Sequence, residues 1–77
     1  MFLKANINPL NYMERVPDYY LMGSDMDFIA IPETIESIGE HAFTNMQKLK
    51  RVIIPKNIEL IEDYAFANCD NLKTVII

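Results

Sequence analysis

The stretches IPETIESIGEHAF (31–43) and IPKNIELIEDYAF (54–66) lie one period of 23 residues apart and decide the fold. Extended to 31–53 and 54–76, they align without a gap, and most of the identical positions are apolar. Self-similarity at a short fixed period is typical of solenoids, in which each repeat buries its apolar side only against its neighbours. The pattern therefore predicts stacked coils in which equivalent apolar side chains form columns through the core.

One segment of each repeat has the composition of a strand. LKRVII (49–54) and LKTVII (72–77) are rich in β-branched residues, which favour a pleated surface. One period earlier lies MDFIAI (26–31), so the sequence predicts three parallel strands that hydrogen-bond from coil to coil. Pro32 and Pro55 should end the first two strands, because proline has no N–H to donate to the ladder.

The rest of each repeat predicts a return path. TIESI and NIELI alternate apolar and polar residues, which indicates a second short extended segment. EHAFTNM and DYAFANC follow, and they predict a compact helical or 3-10 turn in which Phe43 and Phe66 are buried and stacked. Asn45 and Asn68 lie where the chain must turn back, which suits their tendency to bond to nearby backbone.

The pattern IP..I..I...AF.N...L..V.I resembles the BspA-like bacterial leucine-rich repeats, here as a small stand-alone form, over roughly 26–77. The resemblance implies a short leucine-rich-repeat-like solenoid, mainly β, with a parallel β-ladder of about three coils. It also implies binding of proteins or host surfaces without catalysis. Glu62 replaces the glycine found at Gly39, so this turn cannot require a positive φ. The family's cysteine is present as Cys69 and replaced by Met46, which favours a packing role.

Residues 1–25 match the repeat poorly and are interpreted as a degenerate first coil that caps the solenoid 26–77. At a constant period of 23, Tyr20 falls at the position of Phe43. Arg15 then falls at the position of Ile38 and would place a charge in an apolar column.

The same segment predicts one short helix. Asn8 and Pro9 form a favourable helix start, with asparagine as N-cap and proline as the first helical residue. We expect the helix over about 9–15, ended by Pro17.

Composition bounds the class of protein. The chain has 77 residues, a formal charge of −4 and interspersed charges, which argues against a nucleic-acid binder. No apolar run approaches the ~20 residues of a membrane span, and the first residues contain no signal-peptide pattern. We expect a cytoplasmic protein, in the host cytoplasm if phage-encoded.

The residues predict no catalytic, cofactor or metal site. His41 is the only histidine, and its repeat partner is Tyr64, so the position accepts a partly exposed ring. Cys69 is the only cysteine, which excludes an internal disulfide. The column of Glu36 and Glu59 predicts a solvated acidic face.

The strands supply the candidate binding residues. If Val52 faces the core, its neighbours on the strand face outward and form two columns that are too apolar for a sheet face meeting only water. The alternative is that the N-terminal segment folds over this face. The predicted protein-binding residues are Phe28, Ala30, Arg51, Ile53, Thr74 and Ile76.

A second expectation concerns the last strand, because LKTVII ends in mid-repeat and would leave an open edge above a half-covered core. We expect a homodimer through this end, or its coverage by a partner. The predicted edge residues are Leu72, Lys73, Val75 and Ile77.

The leading functional hypothesis is a non-enzymatic protein-interaction module that binds a larger protein through its sheet face. Its most specific form is a small phage or bacterial inhibitor of a host or defence enzyme. The alternative is a self-assembling structural unit with no separate target.

Overall fold

The computed structural model describes residues 9–77 and shows a short solenoid with two parallel sheets. β1, β3 and β5 form sheet I, and β2, β4 and β6 form sheet II. Each of the three coils gives one short strand to each sheet, which is the predicted solenoid architecture. The elements are a 3-10 helix Pro9–Tyr12, β1 Arg15–Val16, β2 Phe28–Ala30, β3 Ser37–Ile38, β4 Arg51–Ile53, β5 Leu60–Ile61 and β6 Thr74–Ile76.

Sheet II contains the three predicted parallel strands, each lying inside its predicted range. Ile29 pairs with Val52, which pairs with Val75, so equivalent residues of successive coils are neighbours in the ladder. The ladder continues one residue beyond the strands, where Ile31 N–H donates to the carbonyl of Ile53. Proline follows at once and stops it, because the next residue has no N–H.

Sheet I is the predicted second extended segment, and it is only two residues wide in each coil. Between the two sheets, each coil makes a turn rather than a helix. Two residues per turn have a positive φ, four positions apart, and this conformation interrupts any helical path. They are Tyr19 and Gly23, His41 and Asn45, and Tyr64 and Asn68, with φ between 56° and 77°.

The first coil has a different register from the one that a constant period of 23 predicts. Arg15 pairs with Ser37 and Val16 with Ile38, an offset of 22 residues. The expectation that Arg15 enters the column of Ile38 was therefore wrong. Val16 fills that column and is fully buried, while Arg15 is exposed.

The same shift corrects a second position of the first coil. Leu21 N–H donates to the carbonyl of Ala42, as Phe43 N–H donates to that of Ala65. Leu21, rather than Tyr20, therefore stands in the place of Phe43. By β2 the offset has returned to 23, since Phe28 pairs with Arg51.

The N-terminal helix is shorter than predicted. A 3-10 helix ends at Tyr12, and Arg15 already belongs to β1, so the helix neither spans 9–15 nor reaches Pro17. Pairing of Arg15 with Ser37 in sheet I takes the backbone that a longer helix would need. Asn8, the predicted N-cap, lies outside the described residues.

The core is a set of stacked columns between the two sheets. Phe43 is fully buried, and its ring centroid lies 5.1 Å from that of Phe66 at an interplanar angle of 21°. Phe66 itself is only half-buried, contrary to expectation, because no coil packs on its outer side. The buried apolar residues are Leu10, Val16, Ile29, Ile31, Ile35, Ile38, Ala42, Phe43, Met46, Leu49, Val52, Ile54 and Ala65.

Candidate interaction surfaces

The outward side of sheet II carries the six predicted binding residues in two columns. Phe28, Arg51 and Thr74 are paired in register along one column. Ala30, Ile53 and Ile76 form the second in the same way. We call these six residues the sheet II face.

The sheet II face is open to solvent and is organised around Arg51. The guanidinium carbon of Arg51 lies 5.4 Å from the ring centroid of Phe28, which is 40% exposed, so cation and ring hold each other in place. Ile53 is half-buried and Ile76 is 43% exposed beside it. Residues 9–77 thus leave the face uncovered; the predicted alternative, coverage by the N-terminal segment, falls on residues 1–8 for the remainder, which lie outside the described part.

The four predicted edge residues lie at the C-terminal side of the solenoid. In the described residues, β6 pairs with β4 alone, and Val75 is 52% exposed although its column neighbour Val52 is fully buried. Leu72 is half-buried, and Lys73 and Ile77 are exposed.

These edge residues border an apolar cavity of about 300 Å³. Its lining consists of the last members of the core columns, whose counterparts in the preceding coil are covered by the third coil. We call this lining the end surface: Val52, Ile54, Ile61, Phe66, Leu72, Val75 and Ile77.

A stack of three rings runs along the turns and was missed at the sequence level. The ring of His41 lies between those of Tyr19 and Tyr64, with centroids 5.2 and 5.1 Å away and interplanar angles of 5° and 11°. His41 Nδ1 also lies 3.1 Å from the hydroxyl of Thr44, which donates to the carbonyl of Tyr64. The repeat links His41 with Tyr64, but Tyr19 joins them only at the offset of 22.

Arg15 links the first coil to the third. Its guanidinium lies 2.8 Å from Oδ1 of Asp18 and 3.4 Å from Oε2 of Glu62. Asp18 also accepts a hydrogen bond of 2.8 Å from the backbone N–H of Glu40. The pKa of Asp18 lies below its ordinary value, chiefly because of Arg15 and then because of the Glu40 N–H.

Cys69 has the environment of a packing residue. The thiol is half-buried and donates to the carbonyl of Phe43 at 3.0 Å. Burial is the main cause that raises its pKa, which disfavours the thiolate needed for reactivity. Met46 is fully buried at the equivalent position, as a packing role requires.

Two searches of the described residues complete the geometry. Within residues 9–77, no group of three or more histidine, cysteine, aspartate or glutamate residues is arranged to hold a metal ion. The same residues contain no helix of the length and apolarity that crossing a membrane requires.

Comparison with known proteins identifies the repeat. A family model described as a BspA type leucine rich repeat region (6 copies) matches residues 14–77, which is most of the chain. No curated protein and no solved structure matches the sequence. Leucine-rich repeats commonly mediate protein–protein interactions, using the extended surface that stacked coils create. On the match over residues 14–77 and the three-coil architecture, the chain belongs to the BspA-type leucine-rich repeat family.

Proposed function

We propose that the chain is a non-enzymatic protein-interaction module that binds another protein through the sheet II face. The observation that carries the proposal is the exposed pair of columns that combines Phe28 and Arg51 with Ile53 and Ile76. Monomeric proteins rarely expose contiguous apolar patches outside interaction sites. Aromatic and arginine side chains are also the residues that most often dominate binding energy.

The proposal fits the mechanics of the sheet. The inward column of Ile29 and Val52 is buried and holds the backbone, so the outward side chains stand on a fixed scaffold. The cation–ring contact of Arg51 with Phe28 further restricts both side chains before any partner arrives. A pre-ordered surface loses less conformational entropy on binding.

The test starts from peptides selected on the immobilised 77-residue chain from a randomised display library. Their affinity is then measured for the parent and for Arg51→Glu/Ile53→Lys. The matched control Lys56→Glu/Leu60→Lys makes the same changes at exposed positions outside the sheet II face. We expect at least a tenfold loss for the first variant, about the effect of one hot-spot residue. Equal affinities for parent and Arg51→Glu/Ile53→Lys would contradict the proposal.

We propose self-association through the end surface as a second, independent candidate. It rests on the exposed column residues: Ile61 is 44% exposed, whereas Ile38 in the preceding coil is fully buried. At the opposite side of the solenoid, Val16 is fully buried and Ile29 nearly so, so the end surface has no equivalent there to pair with. Two copies would therefore meet end surface to end surface, which gives a closed two-fold dimer rather than a fibre.

A further inference from the structure

Charge is distributed unevenly between the two sheets. Around sheet I, seven acidic residues stand against a single basic residue, Arg15. Four of the seven basic residues of the chain lie instead at the starts of β4 and β6. The acidic set is Glu14, Asp18, Glu36, Glu40, Glu59, Glu62 and Asp63, and the basic set is Lys48, Lys50, Arg51 and Lys73.

The basic residues are also adjacent to one another. Lys73 N–H donates to the carbonyl of Lys50, so the two lysines are direct neighbours in the ladder. Neighbouring strands lie about 4.8 Å apart, and like charges that face each other at this spacing destabilise a sheet. The fold therefore holds two ammonium groups together beside the guanidinium of Arg51 at a free-energy cost.

No ion pair inside the described residues relieves these charges. Arg15 has two carboxylate partners, but Lys50, Arg51 and Lys73 have none within ion-pair distance in residues 9–77. All three side chains are exposed. The nearest feature that restrains any of them is the ring of Phe28 below Arg51.

We propose that the sheet II face binds an acidic protein segment, with carboxylates at Lys50, Arg51 and Lys73 and apolar side chains on Ile53 and Ile76. This inference rests on the function proposed above and names the chemistry of the partner. Cations gather at the start of the strands and apolar residues lie toward their ends, so charge and apolar surface are ordered along one direction. A partner segment with carboxylates followed by apolar side chains matches that order.

The composition of the face favours protein over the other candidate occupants. A nucleic acid would use the cations but gain little from Ile53 and Ile76, and the chain as a whole carries a charge of −4. The first eight residues, MFLKANIN, contain one lysine and no acidic residue, so they do not complement the cations.

The test uses the peptides selected on the immobilised chain. We expect an excess of aspartate and glutamate among them, and affinity that falls steeply between about 50 and 500 mM NaCl, because exposed charges are screened by salt. Lys50→Glu should weaken binding about tenfold, as should replacement of the peptide carboxylates by amides. The control Lys56→Glu makes the same charge change at an exposed position away from the cluster and should change affinity less than twofold.

The outcomes separate this inference from the function on which it rests. Peptides that lose affinity for Arg51→Glu/Ile53→Lys but carry no acidic excess and tolerate Lys50→Glu would overturn the inference and leave the sheet II face as the binding site. Peptides that bind Arg51→Glu/Ile53→Lys as tightly as the parent would overturn both, as would a selection that yields no binder. Tight binding of a single-stranded oligonucleotide that Lys50→Glu abolishes would assign the cations to nucleic acid and overturn the inference.

Discussion

Asp18 of the first coil packs so closely on Gly39 of the second that a Cβ atom on Gly39 would lie 2.5 Å from its Oδ1 and 2.7 Å from its N. The backbone carbonyl oxygen of Val16 lies equally near, at 2.7 Å. Gly39 is therefore needed for close approach and not for a positive φ, which explains why Glu62 can occupy the equivalent turn. In the described residues, only Gly23 of the two glycines has a positive φ.

The first prediction follows from this contact. Gly39→Ala should lower the free energy of unfolding by about 1–3 kcal/mol, because the added methyl group meets backbone atoms that cannot move independently. The measurement is thermal unfolding by circular dichroism, in which each kcal/mol shifts the midpoint by roughly 4–8 °C. Gly23→Asn is the matched control. Nothing lies within 4 Å of a Cβ there, and asparagine already fills this turn position at Asn45 and Asn68. A Gly39→Ala protein as stable as the parent would show that the first coil does not pack as described.

The second prediction concerns the stacked phenylalanines. Phe43→Ala should cost about 3–5 kcal/mol, the usual effect of removing a fully buried aromatic ring. A core of this size rarely supplies more than roughly 3–5 kcal/mol in total, so this variant should be largely unfolded at 25 °C. Phe66→Ala should cost less, since the ring is half-buried at the end surface. Urea unfolding of the two variants measures both, and the reverse order of stabilities would refute the assignment of the core columns.

The third prediction concerns acid stability. The pKa of Asp18 is lowered from its ordinary value of 3.8 in the folded chain, mainly by Arg15, so the ionised carboxylate stabilises the fold. This contribution is complete above the unfolded pKa and is lost as pH falls through the lower, folded pKa. The difference in urea midpoint between the parent and Asp18→Asn should therefore shrink below about pH 4. A difference that stays constant from neutral pH to acid would mean that the Arg15–Asp18 pair does not form in solution.

The fourth prediction concerns the end surface. Light scattering at micromolar concentration should show a dimer for the parent and a monomer for Val75→Lys, because the new ammonium group would be placed against apolar side chains. Asn11→Lys, which adds the same charge at an exposed position near the N-terminal helix, should remain dimeric. A monomeric parent would remove self-association as a candidate and leave the sheet II face unaffected.

Much of the fold could be predicted from the repeat alone, because residues 31–76 state each column twice. Sheet II and its register follow from a period that places Arg51 beside Thr74 and Ile53 beside Ile76. The first coil could not be placed, because only one copy of its register exists in the sequence. A loss of one residue there moved Val16, rather than Arg15, into the core.

The turns show a second limit of the sequence. Tyr19, His41 and Tyr64 have a positive φ, a conformation that aromatic residues adopt rarely, so nothing in their identity predicts it. Their ring stack depends on the coils lying in the observed register. The outward columns could be predicted from alternation, but the unpaired state of Lys50 and Lys73 required the positions of all neighbouring carboxylates.

The most direct test of the proposed function is amide chemical-shift mapping of the 77-residue chain on titration with a selected peptide. If the peptide binds as proposed, the largest shifts will fall on residues 28–30, 51–53 and 74–76, and saturate together with one affinity. The amides of 15–16, 37–38 and 60–61 in sheet I should stay nearly unchanged. Largest shifts in sheet I or around Tyr64, with sheet II unaffected, would contradict the account.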